Sequence, residues 1–229
     1  MHKIGLIGGI TPEATILYYR ILNQLNAAKR GDKHSAKVIL SSLDFGEITE
    51  LQTSSRWDLL DALMAEAAKN LEDAGATCIL ICANTMHLCI DAVRKAVQIP
   101  VLHIAEATAK EVAKKGLKKV ALLGTKYTME KAFFKDILTS YGIVTMIPNE
   151  EDREIIHHVI YTELAKGEIN EISKQKYLKI IEKLINQGAE GIVLGCTEIP
   201  LLIEQQEVSA PVFDTTAIHA TAGFSFVNK

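Results

Sequence analysis

The chain has 229 residues, 48% hydrophobic and 23% charged, which is enough apolar material for one large core or two of roughly 100 residues each and excludes a disordered chain. Its net charge of −3, with Lys and Arg scattered rather than gathered in a stripe, argues against nucleic acid as a partner. The opening MHKIGLIGG lacks a basic leader, and no apolar run approaches the roughly 18–20 residues of a membrane span, which predicts a soluble cytoplasmic protein with no membrane partner.

Short β-branched apolar runs alternate with longer amphipathic stretches from end to end. The predicted strands, in chain order, are Lys3 to Leu6, Val38 to Leu43, Cys78 to Cys82, Val101 to Ile104, Val120 to Leu123, Thr145 to Ile147, Gly191 to Leu194 and Val212 to Asp214. Helices are expected at 12–27, 54–73, 106–115, 128–141, 151–166 and 171–187. Strands this uniformly apolar are buried on both faces by crossover helices, so the fold class is α/β with parallel sheets.

The chain also repeats itself. Gly75-Ala-Thr-Cys-Ile-Leu-Ile-Cys-Ala-Asn-Thr-Met-His-Leu88 aligns without gaps on Gly188-Ala-Glu-Gly-Ile-Val-Leu-Gly-Cys-Thr-Glu-Ile-Pro-Leu201. Pro100-Val-Leu-His103 and Pro211-Val-Phe-Asp214 follow at nearly the same distance, and Lys3-Ile-Gly-Leu-Ile-Gly and Lys119-Val-Ala-Leu-Leu-Gly precede by about 70 residues. A period near 113 residues is too long for a solenoid. It predicts two similar lobes, each a parallel sheet flanked by helices, related by pseudo-two-fold symmetry with a ligand cleft between them. The strand near Val212 is expected to return to the first lobe. The expected domains are therefore 1–98 plus 209–229, and 99–208.

Parallel sheets bind ligands beyond the carboxyl ends of their strands, which directs attention to Ala83-Asn84-Thr85 and Cys196-Thr197-Glu198. Each triplet is a turn into a helix whose polar side chains and N–H groups suit a carboxylate. The repeat sets Ala83 opposite Cys196.

Three segments then carry a family resemblance. Gly8-Gly-Ile-Thr-Pro-Glu-Ala-Thr15 resembles the glycine-rich opening of the aspartate/glutamate racemase family, Asn84-Thr85 with His87 its first catalytic loop, and Gly195-Cys-Thr-Glu198 its second. The resemblance spans essentially the whole chain. It implies an isomerase acting on aspartate, glutamate or both, with broader specificity left open, without pyridoxal phosphate, other cofactor or metal, and a homodimer. Two cysteines would face opposite sides of the substrate α-carbon, one thiolate removing the proton and the other thiol returning one. A thiol near pKa 8.5 is a reasonable base when helix N-termini and nearby donors lower it.

Alanine at position 83 departs from that pattern, because it can neither donate nor accept a proton. Cys82 is one residue early, and a one-residue shift at a strand end turns the side chain away. Three readings stay open: water or another side chain supplies the second proton, catalysis uses one base, or the first cysteine has been replaced. A one-cysteine decarboxylase of the same superfamily, similar to the arylmalonate decarboxylases, is an alternative; so is an amino-acid-binding relative that has lost catalysis.

Other residues have both a plain and a functional reading. Asn84, Thr85 and Thr197 are candidates for helix caps as well as carboxylate contacts. Thr11 before Pro12 is an N-cap with proline at N1, expected to line the cleft. Thr125, after the second lobe's first strand, mirrors Gly8-Gly9 and is a candidate to contribute a hydroxyl. Lys166 precedes Gly167 as a last-turn lysine before a glycine cap, and by resemblance reaches the distal carboxylate of the substrate. By resemblance too, Gln52 lies in a loop that contacts that carboxylate, and Glu198 assists proton movement at the adjacent thiol. Gly5-x-x-Gly8-Gly9 lacks the spacing of a dinucleotide loop. Cys78, Cys82, Cys89, His87 and His103 follow no zinc-site spacing. Four cysteines are too sparse for a disulfide scaffold, and His157-His158 is expected to be solvated.

Overall fold

The computed structural model describes residues 2–228. They form two compact units, one running up to Ile104 and resuming at His219, the other covering Ala105–Ile218.

In the first unit, β1 (Ile4–Gly8) leads to α1 (Pro12–Arg30), β2 (Val38–Ser42), α2 (Phe45–Thr53), α3 (Trp57–Asp73), β3 (Cys78–Ile81), a 3-10 turn (Thr85–Cys89), α4 (Ile90–Ala96) and β4 (Val101–Leu102). Its sheet is parallel in the order β2-β1-β3-β4. Helix α5 (Ile104–Lys114) starts on the last residue of the first unit's opening stretch and leads into the second unit, which continues with β5 (Lys119–Gly124), α6 (Lys126–Glu130), α7 (Ala132–Ser140), β6 (Val144–Met146), α8 (Glu150–Thr162), α9 (Glu171–Asn186), β7 (Gly191–Gly195) and β8 (Val212–Asp214). Its sheet order, β6-β5-β7-β8, is also all parallel. The sequence repeat thus reappears as repeated topology, with the matching segments on β3 and β7.

Two expectations about domain limits are corrected. The strand near Val212 does not return to the first unit: Val212, Phe213 and Asp214 pair with Ile192, Val193 and Leu194 of β7. Val101 and Leu102, assigned by sequence to the second lobe, pair with Ile79 and Leu80 of β3. Each short edge strand follows the crossover of its own sheet, so both connections are local. The part of the chain that returns is the last helix, α10 (Thr215–Val227), from His219 onward.

Alternation along β3 decides which side chains reach which core. Ile79, Ile81 and Ala83 join Leu60, Met64, Ala67 and Val93 on one face. Cys78, Leu80 and Cys82 join Tyr18, Leu22, Ala220 and Phe224 on the other. Along β7 the same inward phase carries Ile192, Leu194 and Cys196 into a cluster with Ile156, Val159 and Tyr177. Ala83 and Cys196 are therefore equivalent positions, and Cys82 faces away as its one-residue offset requires.

Local chemistry sets the helix starts. Thr11 accepts the Ala14 N–H at 3.2 Å with Pro12 at N1, as read from sequence. Asp44 accepts the Glu47 N–H at 2.9 Å and starts α2, which lies outside the helices expected from sequence. The helix expected over 128–141 is two, broken at Lys131, whose backbone is extended; Lys135 Nζ donates to the Glu130 carbonyl at 2.9 Å and closes α6. The expected helix over 151–166 likewise ends at Thr162, followed by a 3-10 turn over Leu164–Lys166. Among the described residues no helix is long and apolar enough to cross a membrane.

Candidate active site

In the second unit, glycine brings the two central strands together just before the chemistry begins. Gly124 pairs with Gly195, and a Cβ on Gly195 would lie 2.6 Å from Leu122 Cδ1 and 2.9 Å from the Leu123 carbonyl oxygen. Thr125 and Cys196 are the residues that follow this last pair. Thr125 caps α6, accepting the Thr128 N–H at 3.2 Å, and is buried.

Cys196 Sγ donates to Glu198 Oε2 at 2.9 Å, and Thr197 Oγ1 donates to the same oxygen at 2.8 Å. All three residues are at most 5% exposed. Burial, then the Glu198 charge and its hydrogen bond, hold the Cys196 pKa well above the usual thiol value, against a smaller opposing effect of the Glu198 and Thr197 backbone N–H groups. Where the sequence predicts a thiol lowered by its surroundings, burial and Glu198 instead raise this one, and Sγ donates to the Glu198 carboxyl group. The capping reading of Thr197 is also corrected, because its hydroxyl serves Glu198. The 3-10 turn Ile199–Leu201 has no side-chain cap.

Sequence reasoning missed the aromatic wall beside this thiol. Tyr161 packs half-buried against the cluster that contains Cys196, and its pKa is pushed up, chiefly by burial and then by Cys196. The His157 ring lies 4.7 Å from that of Tyr161 and 6.4 Å from that of Tyr127. Its Nδ1 accepts the Lys126 N–H at 3.3 Å, so His157 is a half-buried, partnered group, and only His158 is exposed. The signal available in sequence was the i,i+4 spacing of His157 and Tyr161 on one helix face. Lys166 ends its 3-10 turn before Gly167 in left-handed conformation, with its side chain exposed.

In the first unit, Ala83, Asn84 and Thr85 follow β3 and are all buried. Asn84 has helical backbone angles and makes no side-chain cap, which overturns its capping role. Gln52 is not in a loop: it lies in the last turn of α2, buried, and its Nε2 donates to Met86 Sδ at 3.3 Å. That contact ties Gln52 to the turn after Asn84. Gly9, at φ +78°, makes the bend that leads to Thr11; a Cβ there would sit 2.1 Å from the Leu43 carbonyl oxygen. Its N–H donates to Thr15 Oγ1 at 2.8 Å.

Cys78, Cys82 and Cys89 are buried, and burial raises all three thiols, Cys78 to about 12. Among the described residues no three of His, Cys, Asp and Glu gather to hold a metal ion.

A model of the Asp/Glu/hydantoin racemase family matches residues 7–223, a span that includes both strand ends. The chain belongs to that family. Among solved structures, a putative Asp/Glu racemase from Yersinia pestis is 47% identical over the full length of both chains with a TM-score of 0.92. An aspartate racemase homologue from Pyrococcus horikoshii is 37% identical, again over both full chains, with a TM-score of 0.87. The broad specificity amino-acid racemase RacX of Bacillus subtilis is 25% identical over 73% of this chain and 72% of its own. In this racemase-family chain the two sheets and their helices are those of the structural neighbours.

Proposed function

We propose that the protein racemises an acidic amino acid, aspartate or glutamate, without a cofactor, and that Cys196 is the group that exchanges the α-proton. The observation carrying this reading is the buried thiol–carboxylate pair, Cys196 Sγ to Glu198 Oε2 at 2.9 Å, at the carboxyl end of β7. An amino-acid α-proton is very weakly acidic, so the base must be strong. A thiol whose pKa lies well above the usual value forms a correspondingly basic thiolate once its proton moves.

The proton balance is closed by Glu198. Its Oε2 takes the Sγ hydrogen, the thiolate removes the substrate α-hydrogen, and the electron pair stays on Cα and its carboxylate. Return of a proton from Cys196 restores the starting enantiomer. Delivery from the opposite face inverts it; with Ala83 in the partner position that proton comes from water or another side chain, and the proton held on Glu198 then returns through solvent to that donor. The resemblance assigns Cys196 to the L-face. Asn84, Thr85 and Thr197 are the proposed carboxylate contacts, Thr11 and Thr125 are further proposed substrate-binding residues, and Gln52 and Lys166 are assigned to the distal carboxylate. Stabilising donors of this kind are typically worth about 10²–10³ in rate each. The same reading expects a cytoplasmic homodimer.

Incubation with L-aspartate or L-glutamate in heavy water tests this. Deuterium at Cα should appear faster than the D-enantiomer accumulates, because exchange needs one face and inversion needs two. A folded protein that catalyses no deuterium incorporation into any acidic amino acid rules the reading out. The lone thiol also suits protonation of a planar intermediate after decarboxylation, and release of carbon dioxide from a substituted malonate would favour that reaction.

A further inference from the structure

The proposed chemistry makes no use of three buried imidazoles in the first unit. His87, His103 and His219 are at most 4% exposed; the His87 ring centroid lies 4.7 Å from that of His103 and 5.5 Å from that of His219. Their partners fix the hydrogens. His87 Nδ1 lies 2.8 Å from the Ala83 carbonyl oxygen, which can only accept, and its Nε2 receives the Ile104 N–H at 3.2 Å, which can only donate. His219 Nε2 lies 3.1 Å from the Leu102 carbonyl oxygen and its Nδ1 2.7 Å from Tyr18 Oη. His87 is thus the Nδ1–H tautomer and His219 the Nε2–H tautomer, with the Tyr18 hydroxyl donating to His219.

We infer that His87 is the positioning residue of the first strand end: it holds the Ala83 carbonyl and so keeps the Ala83–Thr85 turn in one conformation. A histidine present only to fill space needs no particular tautomer. Here every hydrogen bond has one permitted direction. The array runs from Tyr18 of α1 through His219 of α10 to the β4 exit at Leu102 and Ile104, and ends on the residue that aligns with Cys196. Burial lowers His87 to about 4 and His219 to about 3, which keeps both uncharged at neutral pH. The importance of the turn to turnover rests on the proposed function; the hydrogen-bond assignment does not.

The first test uses the unaltered protein with 15N-labelled histidine. The expected spectrum has His87 as Nδ1–H and His219 as Nε2–H, neither titrating between pH 5.5 and 8; an Nε2–H His87 or a titration near 6.5 overturns the inference. The second compares two variants. The amide of His87→Asn can place an N–H where Nδ1–H stood, whereas that of His87→Gln reaches only the Nε2 position. Amide hydrogen exchange at Asn84 and Thr85 should accelerate about tenfold in His87→Gln and much less in His87→Asn, with β5 amides unchanged, as expected for loss of one buried hydrogen bond. The KM for the amino acid should rise about tenfold in His87→Gln with kcat less affected, and His87→Asn should recover most of it. Equal behaviour of the two variants overturns the positioning role. If the unaltered protein exchanges no α-hydrogen, the racemase reading fails while the tautomers and amide exchange still decide this one. Should His87→Gln fail to fold, the tautomer measurement decides alone.

Discussion

Cys196 and Glu198 are joined by a short hydrogen bond, Sγ to Oε2 at 2.9 Å, in surroundings from which water is almost excluded. The carboxylate both raises the thiol's pKa by its charge and offers the place where the thiol's proton can go. Those two effects have opposite consequences when Glu198 is altered.

Glu198→Gln keeps the shape and removes the charge. The thiol pKa should fall, so alkylation of Cys196 by iodoacetamide should reach its half-maximal rate at lower pH than in the unaltered protein. α-Hydrogen exchange at pH 7 should nevertheless drop about 10²–10⁴-fold, the usual contribution of a positioned proton acceptor. Unchanged exchange would remove Glu198 from the proton path.

Activity should rise with pH. In the proposed mechanism the thiolate is the working form, and its pKa is held well above the usual value, so kcat/KM is expected to climb through pH 7 to 9 without a plateau. A bell centred near neutrality would show that the thiol is ionised at rest.

Ala83→Cys restores a thiol at the position whose Cβ shares the inward phase of Ile79 and Ile81. L-to-D inversion should increase by at least about tenfold while L-face deuterium exchange changes little. Cys82→Ala should leave both rates within about twofold, because Cys82 lies on the opposite face with Tyr18 and Leu22. Loss of activity in Cys82→Ala with an unchanged fold would contradict that assignment.

Acid should unfold the first unit by way of its histidines. His87, His103 and His219 are held at about 4, 2 and 3 in the fold against 6.5 when unfolded, lowered chiefly by burial, with Arg94 adding to the effect on His87 and His103. For lowered groups the unfolded chain binds protons first, so their stabilisation is complete above pH 6.5 and drains away as pH falls towards 4. Urea midpoints measured from pH 7.5 to 4.5 should decline steadily. The His87→Asn variant should show a shallower decline, and an equal slope would mean that His87 carries its charge elsewhere.

The strand ends were legible in sequence because the repeat aligns residue by residue and period-2 alternation carries Ala83 and Cys196 inward together. Helix α2 is hard to read from sequence although Asp44 and Glu47 mark its start, because Gly46, Thr49 and Thr53 are weak helix formers and Ser54 and Ser55 follow at once. Helix α10, TTAIHATAGFSFV, carries no Asp, Glu, Lys or Arg and so shows no polar face from which to infer a period. The pairing of Val212 with β7 depends on which sheet edge a three-residue strand meets, and nothing local encodes that. The sign of the Cys196 shift was inaccessible for a different reason: desolvation is a property of everything packed around the sulfur, including Tyr161 and Tyr177, which lie far away in sequence.

The most direct measurement compares α-deuterium incorporation into L-aspartate and L-glutamate by the unaltered protein and by Cys196→Ala, with folding checked by circular dichroism. The account expects enzyme-dependent exchange in the first and only the background rate in the second. Exchange that survives loss of the sulfur, or its absence from the folded unaltered protein, would contradict it.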